Sequence, residues 1–168
     1  LKLDLLSVID PVITGGAGTW SNFMPDIKGT TLEGFNYLGL GNIFIISIAF
    51  SILIKKILKE KNFFKNFIKK NIGYIVFVII FSLWSLTTNI TAAGHEIINI
   101  PLNKYIFGAL SIVRPTGRLF WIVNYFLLIL SIIIIYKCFN EKKSLLIITL
   151  FLIIQVADTS AGLKDKIR

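Results

Sequence analysis

Two arginines four positions apart, Arg114 and Arg118, enclose Pro115-Thr116-Gly117 and stand directly before the apolar run "LFWIVNYFLLILSIIIIY". Guanidinium groups in such a pair suit phosphate or carboxylate, which they hold through several charge-assisted N–H donors. Pro115 has a fixed φ and no N–H, so it suits the first position of a helix. Arg114, before a proline, is pushed towards extended backbone and marks a boundary. The sequence thus predicts a helix starting at Pro115 with Arg118 in its first turn. A cation there opposes the helix dipole. An anion held by the free N–H groups and both guanidiniums removes that conflict, and Gly117 leaves it room. Fitting anions are a lipid phosphate, a polyprenyl phosphate or diphosphate, and a carboxylate such as Asp158 or Glu96. Equally open is a plainer reading, with both arginines reaching bulk phospholipid headgroups beside Trp121 as an interfacial belt residue.

Groups able to move protons are few: Glu33, His95, Glu96 and Asp158 are the candidates for a polar outer site, and their role in catalysis stays open. Asp4, Asp10 and Asp26 lie with Trp20 in a segment rich in Gly and Pro. His95 and Glu96 are adjacent, and neighbours on a helix do not face each other. One histidine and one cysteine, Cys138, leave no ligand set for a metal and no internal disulfide, so no metal and no cofactor are expected within the chain. "GGAG" and "GLG" lack the strand, lysine and helix register of a phosphate loop. Asn124 and Gln155, inside apolar runs, are expected to bond to neighbouring helices or to line a polar path.

The elements that must carry these residues are set by hydropathy. The chain has 168 residues, 55% of them hydrophobic, with mean hydropathy +0.77. That places it in the membrane class. Four runs stand out, at 38–54, 72–90, 119–136 and 144–157. A helix spans the hydrocarbon with about 17 to 25 apolar residues. The first three runs meet this, and the fourth needs its flanks. Turn residues do not interrupt the runs at strand spacing, and lipid forces backbone bonds to close within each segment. The expectation is an all-α transmembrane fold of about four helices. The stretch "YIFGALSIV" would add a short interfacial or re-entrant helix.

Lysine sets the orientation. The connection "KKILKEKNFFKNFIKKN" carries seven lysines and one glutamate, and "KCFNEKK" carries three and one. The positive-inside rule puts both in the cytoplasm. Residues 1–37 then form an extracytoplasmic loop, 38–157 the transmembrane region, and 158–168 the start of a second extracytoplasmic segment. Ile57, Phe63, Phe64, Phe67 and Ile68 are spaced among the lysines as in an interfacial helix, or simply rest with them on anionic lipid. The net charge of +9 is thereby accounted for without nucleic acid. A polar outer N-terminus with no export signal suggests a fragment of a larger polytopic protein, whose remaining helices would be partners, the alternative being a complete small protein with its N-terminus outside.

"EGFNYLGLGNI" at 33–43 and "RPTGRLFWIVNYF" at 114–126 resemble the membrane portion of a family of uncharacterised bacterial polytopic inner-membrane proteins. In that family a Glu-(Gly or Ala)-Phe-x-Tyr-Leu-Gly segment opens one late span and an Arg-x-Ser-Gly-Arg segment opens another. The family resembles multi-span glycosyltransferases that take sugars from polyprenyl-phosphate carriers at the outer face. "QVADTSAG" at 155–162 is similar to the family's exit from the membrane. The resemblance runs from about residue 10 to 162 and implies roles for Glu33, Tyr37, Arg114, Gly117, Arg118, Trp121 and Asp158. Pro115 and Thr116 depart from it, standing where small residues and serine are expected. It also implies that the catalytic acid of such transferases lies upstream.

Three readings follow. The first is a glycosyltransferase-like membrane enzyme of the bacterial inner membrane with a polyprenyl-phosphate-linked sugar as substrate. The second is a transporter or flippase of a lipid-linked or anionic substrate. The third is a structural membrane subunit without catalysis. A transporter would need polar residues through its spans, and these hold only scattered Ser, Thr, Asn and Gln, which favours the enzyme.

Overall fold

The computed structural model describes residues 3–12, 18–25, 27, 35–60, 62–85, 89–93, 95–99 and 116–167, with the side chains of 3, 89, 116–118 and 163–167 outside the description. Four long helices dominate: α1 (Leu40–Lys59), α2 (Phe63–Ser85), α3 (Thr116–Cys138) and α4 (Glu141–Ile167). All four are long and apolar enough to cross a membrane. The chain is a membrane protein with an all-α transmembrane architecture. Its surface agrees, since Phe50, Leu58, Leu83, Leu146 and Leu152 point large apolar side chains outward. In water such a surface would be an aggregation hazard, whereas in lipid it is the ordinary outer face.

The helices overrun the apolar runs. α1 continues through Lys55, Lys56 and Lys59, because lysine is a good helix former and hydropathy marks the hydrocarbon boundary, not the helix end. α2 starts nine residues before its apolar run, at Phe63. Its lysine-bearing part, Phe63 to Lys70, is set off by Asn71, whose φ of −115° and ψ of 19° are not helical. Asn71 Nδ2 donates to Phe67 O at 2.8 Å across this kink, and Phe63 stacks on Phe67 with centroids 5.9 Å apart. α3 is described from Thr116, and Pro115, its expected first residue, lies outside the described residues. α4 gains its missing length from both flanks, Glu141 to Lys143 and Asp158 to Ile167. The segment expected to form a re-entrant or interfacial helix, 105–113, lies outside the described residues.

α1 packs against α3 and α4, and α2 packs mainly against α3. Ile45 and Ala49 of α1 and Val123 and Ile135 of α3 form the buried apolar centre. Phe126 of α3 meets Tyr74 and Phe77 of α2, each at 5.7 Å between centroids. Gly41 lets α1 approach α4 so closely that a Cβ there would overlap the Phe151 carbonyl and Gln155. Within a membrane, close backbone approach and van der Waals contact replace hydrophobic driving force, so a small residue at the crossing is a packing device.

The sequence reading contained no strands, yet a three-stranded sheet in the order β1-β2-β3 sits at one end: β1 (Leu3–Asp4), β2 (Asn89–Ala92) and β3 (His95–Asn99). β1 pairs parallel to β2, and β2 antiparallel to β3. Asp4, buried, ties the two parts together. Its Oδ1 accepts from Leu6 N at 2.9 Å and from Ala93 N at 3.2 Å, where the β2–β3 turn carries a positive φ of 51° at Ala93. The strands therefore serve to staple the N-terminal segment to the end of α2.

Candidate functional site

The two lysine-rich connections lie at one end of the bundle, and the starts of α1 and α3, the finish of α4 and the sheet lie at the other. At this second end, Asp158 of α4 organises the structure. Its side chain has no exposure to solvent. Oδ1 accepts from the Ser21 hydroxyl. Oδ2 accepts from the Tyr37 hydroxyl at 2.6 Å and from Leu40 N at 3.0 Å. The carboxylate thus collects donors from the N-terminal segment, from the approach to α1 and from α1's first residue.

That last bond explains how α1 begins. A helix leaves its first N–H groups without partners inside the helix. The position before α1 is Gly39, with φ 81° and no side chain to cap them. Asp158 takes the Leu40 N–H instead, and Gln155 Oε1 takes the Asn42 N–H at 3.1 Å. Two residues of α4, one turn apart, do the work of a local cap, and the carboxylate suits the positive pole of the helix. Gln155 Nε2 and Asn42 Nδ2 both donate to Leu38 O, at 3.0 and 2.8 Å. Gln155 therefore bonds to a neighbouring helix and its lead-in, one of the two roles expected for it.

The N-terminal segment closes over the tip of α4. Asn22 N donates to Asp158 O at 3.0 Å, and Asn22 Nδ2 to Ala157 O and Ser160 Oγ, each at 2.7 Å. Ser21 Oγ in turn accepts from Phe23 N and Met24 N, at 3.0 and 2.8 Å. Trp20 lies on Gly162, where any Cβ would strike the indole. The Tyr37 phenol is held well above its ordinary pKa, first by burial and then by its bond to Asp158.

Beside this cluster lies a cavity of about 540 Å³ between α1, α3 and α4. Trp20, Phe35, Trp121 and Tyr125 supply aromatic walls, and Asn42 and Asn124 supply amides. Such a volume falls in the range of about 300 to 1,000 Å³ usual for small-molecule sites, as does the mixture of apolar wall and a few polar groups. Trp121 Nε1 donates to Phe35 O at 2.9 Å, fixing one wall to the segment that ends at Tyr37. Trp121 is three residues beyond Arg118, so the first turn of α3 adjoins the cavity wall.

The expected site residues fare differently. Asp158 and Tyr37 are brought together, and Trp121 lines the adjacent cavity. Gly117 and Arg118 are in the first turn of α3, as expected, with the Arg118 side chain outside the description. Arg114 and Glu33 lie outside the described residues. His95 and Glu96 are exposed on β3, paired with Ala92 and Thr91 of β2. As strand neighbours they point to opposite faces, so they do not form a facing pair. Among the described residues no group of three or more His, Cys, Asp or Glu gathers where a metal ion could sit. Ser21, Asn22 and Asn42 were not singled out from sequence. Nothing periodic marks them, and the partners of Ser21 and Asn22 lie more than 130 residues away.

A bundle of apolar helices capped by a polar, hydrogen-bonded lid defines an integral membrane protein with a boundary cavity. The family model described as "Domain of unknown function (DUF6311)" matches residues 1–160, and the chain belongs to that family. Comparison with curated proteins finds no match, and comparison with solved structures finds none either.

Proposed function

We propose that the chain is the carrier-binding part of a glycosyltransferase-like enzyme that uses a polyprenyl-phosphate-linked sugar at the outer face of a bacterial inner membrane. The observation that carries this reading is the aromatic cavity next to the first turn of α3, at the end of the bundle opposite the lysine-rich connections. With those connections in the cytoplasm, the cavity faces outward, and both ends of the chain are extracytoplasmic. An amphipathic ligand matches such a boundary site: its hydrocarbon stays in lipid, its phosphate meets cations, and its sugar stacks on aromatic faces.

Arg114 and Arg118, with Gly117 between them, hold the carrier phosphate in this reading. Trp121 and Tyr125 take the sugar. During transfer the acceptor oxygen attacks the anomeric carbon while the bond to the phosphate breaks. The guanidiniums then stabilise the charge gathering on the leaving phosphate. The acceptor's proton goes to a base, for which Glu33, His95 and Glu96 are the candidates in this chain. Asp158, enclosed and bonded on both oxygens, positions the lid and is not that base.

The test uses the full-length protein in liposomes with radiolabelled polyprenyl-phosphate sugar. Arg114→Gln and Arg118→Gln should each weaken binding about tenfold, the loss of one charge-assisted contact of about 1.4 kcal/mol. Glu33→Gln, His95→Gln or Glu96→Gln should reduce turnover and leave binding intact. Unchanged binding in both arginine variants, with insertion preserved, would make the arginines headgroup anchors and remove the reading. Carrier movement across the bilayer without sugar transfer would replace the enzyme by a flippase.

A further inference from the structure

At the opposite end of the bundle lies a second cavity, of about 580 Å³, bounded by α1, α2 and α3. Three helices each bring a lysine to it: Lys56 from α1, Lys70 from α2 and Lys137 from α3. Among the described residues Glu60 is the one acidic residue that lines it, which leaves an excess of two positive charges among them. Its deeper walls are apolar, with Leu53 of α1 and Ile134 of α3 among them. The kink at Asn71 makes this space, because it turns the Phe63–Lys70 part of α2 off the line of the span, and Asn71 itself lines the cavity.

We propose that this cavity is a binding site for one anionic phospholipid, with its phosphate among Lys56, Lys70 and Lys137 and an acyl chain along the Leu53 and Ile134 wall. The charge excess selects a net negative headgroup over a zwitterionic one. The apolar wall selects a lipid over a free phosphate. Lysines attract anionic lipid anywhere near a membrane surface by about 1 kcal/mol each, but that attraction is diffuse. Convergence of three lysines from three helices on one cavity with an apolar floor makes a localised site. It is separate from the aromatic cavity at the other end and does not depend on the sugar-carrier reading.

The measurement is native mass spectrometry of the full-length protein, released from detergent after incubation with phosphatidylglycerol or phosphatidylcholine. Wild type should retain one phosphatidylglycerol at least tenfold more than phosphatidylcholine. The triple variant Lys56→Gln, Lys70→Gln, Lys137→Gln should lose that preference. A control triple of equal charge, Lys55→Gln, Lys69→Gln, Lys142→Gln, uses lysines that do not line the cavity and should keep it. Ile134→Trp, which narrows the cavity and leaves every charge in place, should also lower retention, so the site is testable even if the cavity triple inserts poorly. Equal loss in the two triples would reduce the effect to general surface charge and overturn the proposal. Displacement of the lipid by millimolar inorganic phosphate would overturn it too, since the occupant would then be a free anion.

Discussion

The Tyr37 hydroxyl donates to Asp158 Oδ2 at 2.6 Å across 121 residues of sequence. The same oxygen receives the Leu40 N–H, the start of α1. One carboxylate therefore fixes how the N-terminal segment, α1 and α4 meet, and the aromatic cavity is built on that junction. Its properties follow from what would be left without it.

Asp158→Ala strands two hydroxyl donors and one backbone N–H in a buried place. Unsatisfied buried donors cost about 1 to 3 kcal/mol each before relaxation, so the variant should lose about 3 kcal/mol or more. Asp158→Asn should fall between, because its oxygen accepts while its amide N–H₂ meets a donor. Unfolding in mild detergent measures both. Limited proteolysis should cut the 18–25 segment of the alanine variant first.

Two glycines in the helices predict opposite signs. A Cβ on Gly41 overlaps the Phe151 backbone, so Gly41→Ala should cost about 1 to 3 kcal/mol as α1 is pushed from α4. A Cβ on Gly73 meets nothing within 4 Å. Gly73→Ala should therefore stabilise by up to about 1 kcal/mol through helix propensity. Melting temperatures of the pair, compared in one detergent, check the contrast.

The raised pKa of Tyr37 gives a stability with a definite pH window. The neutral phenol is favoured in the fold, so its contribution is complete below the ordinary tyrosine value of about 10 and is lost as pH rises through the higher folded value. Titrating wild type beside Tyr37→Phe isolates this group. The difference should show no phenolate absorbance at pH ~10, and phenolate appearing there would mean that Tyr37 is neither buried nor held by Asp158 as described.

Much of the architecture was legible because lipid demands long apolar helices, and the four runs state them openly. Their ends were not. Lys55 to Lys59 are helical although polar, since backbone bonds continue past the hydrocarbon edge, and Phe63 to Lys70, for which an interfacial helix is one of two readings of the sequence, belongs to α2. The strand His95–Asn99 was hidden for another reason: its pairing with β2 is a long-range choice that a short segment does not announce. In the site, Asp158 and Trp121 stood out as a polar and an aromatic residue at a membrane boundary, Gln155 as an amide inside an apolar run, and Tyr37 only through the family resemblance. Ser21 and Asn22 did not, because small polar residues in a Gly- and Pro-rich segment look alike until their partners on α4 are seen.

The most direct measurement of the account's central claim places a photo-crosslinker, p-benzoylphenylalanine, at position 125 on the cavity wall. The full-length protein carrying it is irradiated in membranes with radiolabelled polyprenyl-phosphate sugar. The account predicts a labelled band that unlabelled carrier competes away, that weakens in Arg114→Gln and Arg118→Gln, and that is absent with the crosslinker at position 146, exposed near the start of α4 at the other end of the bundle. Labelling at 146 as strong as at 125, or labelling indifferent to both arginines, would contradict it.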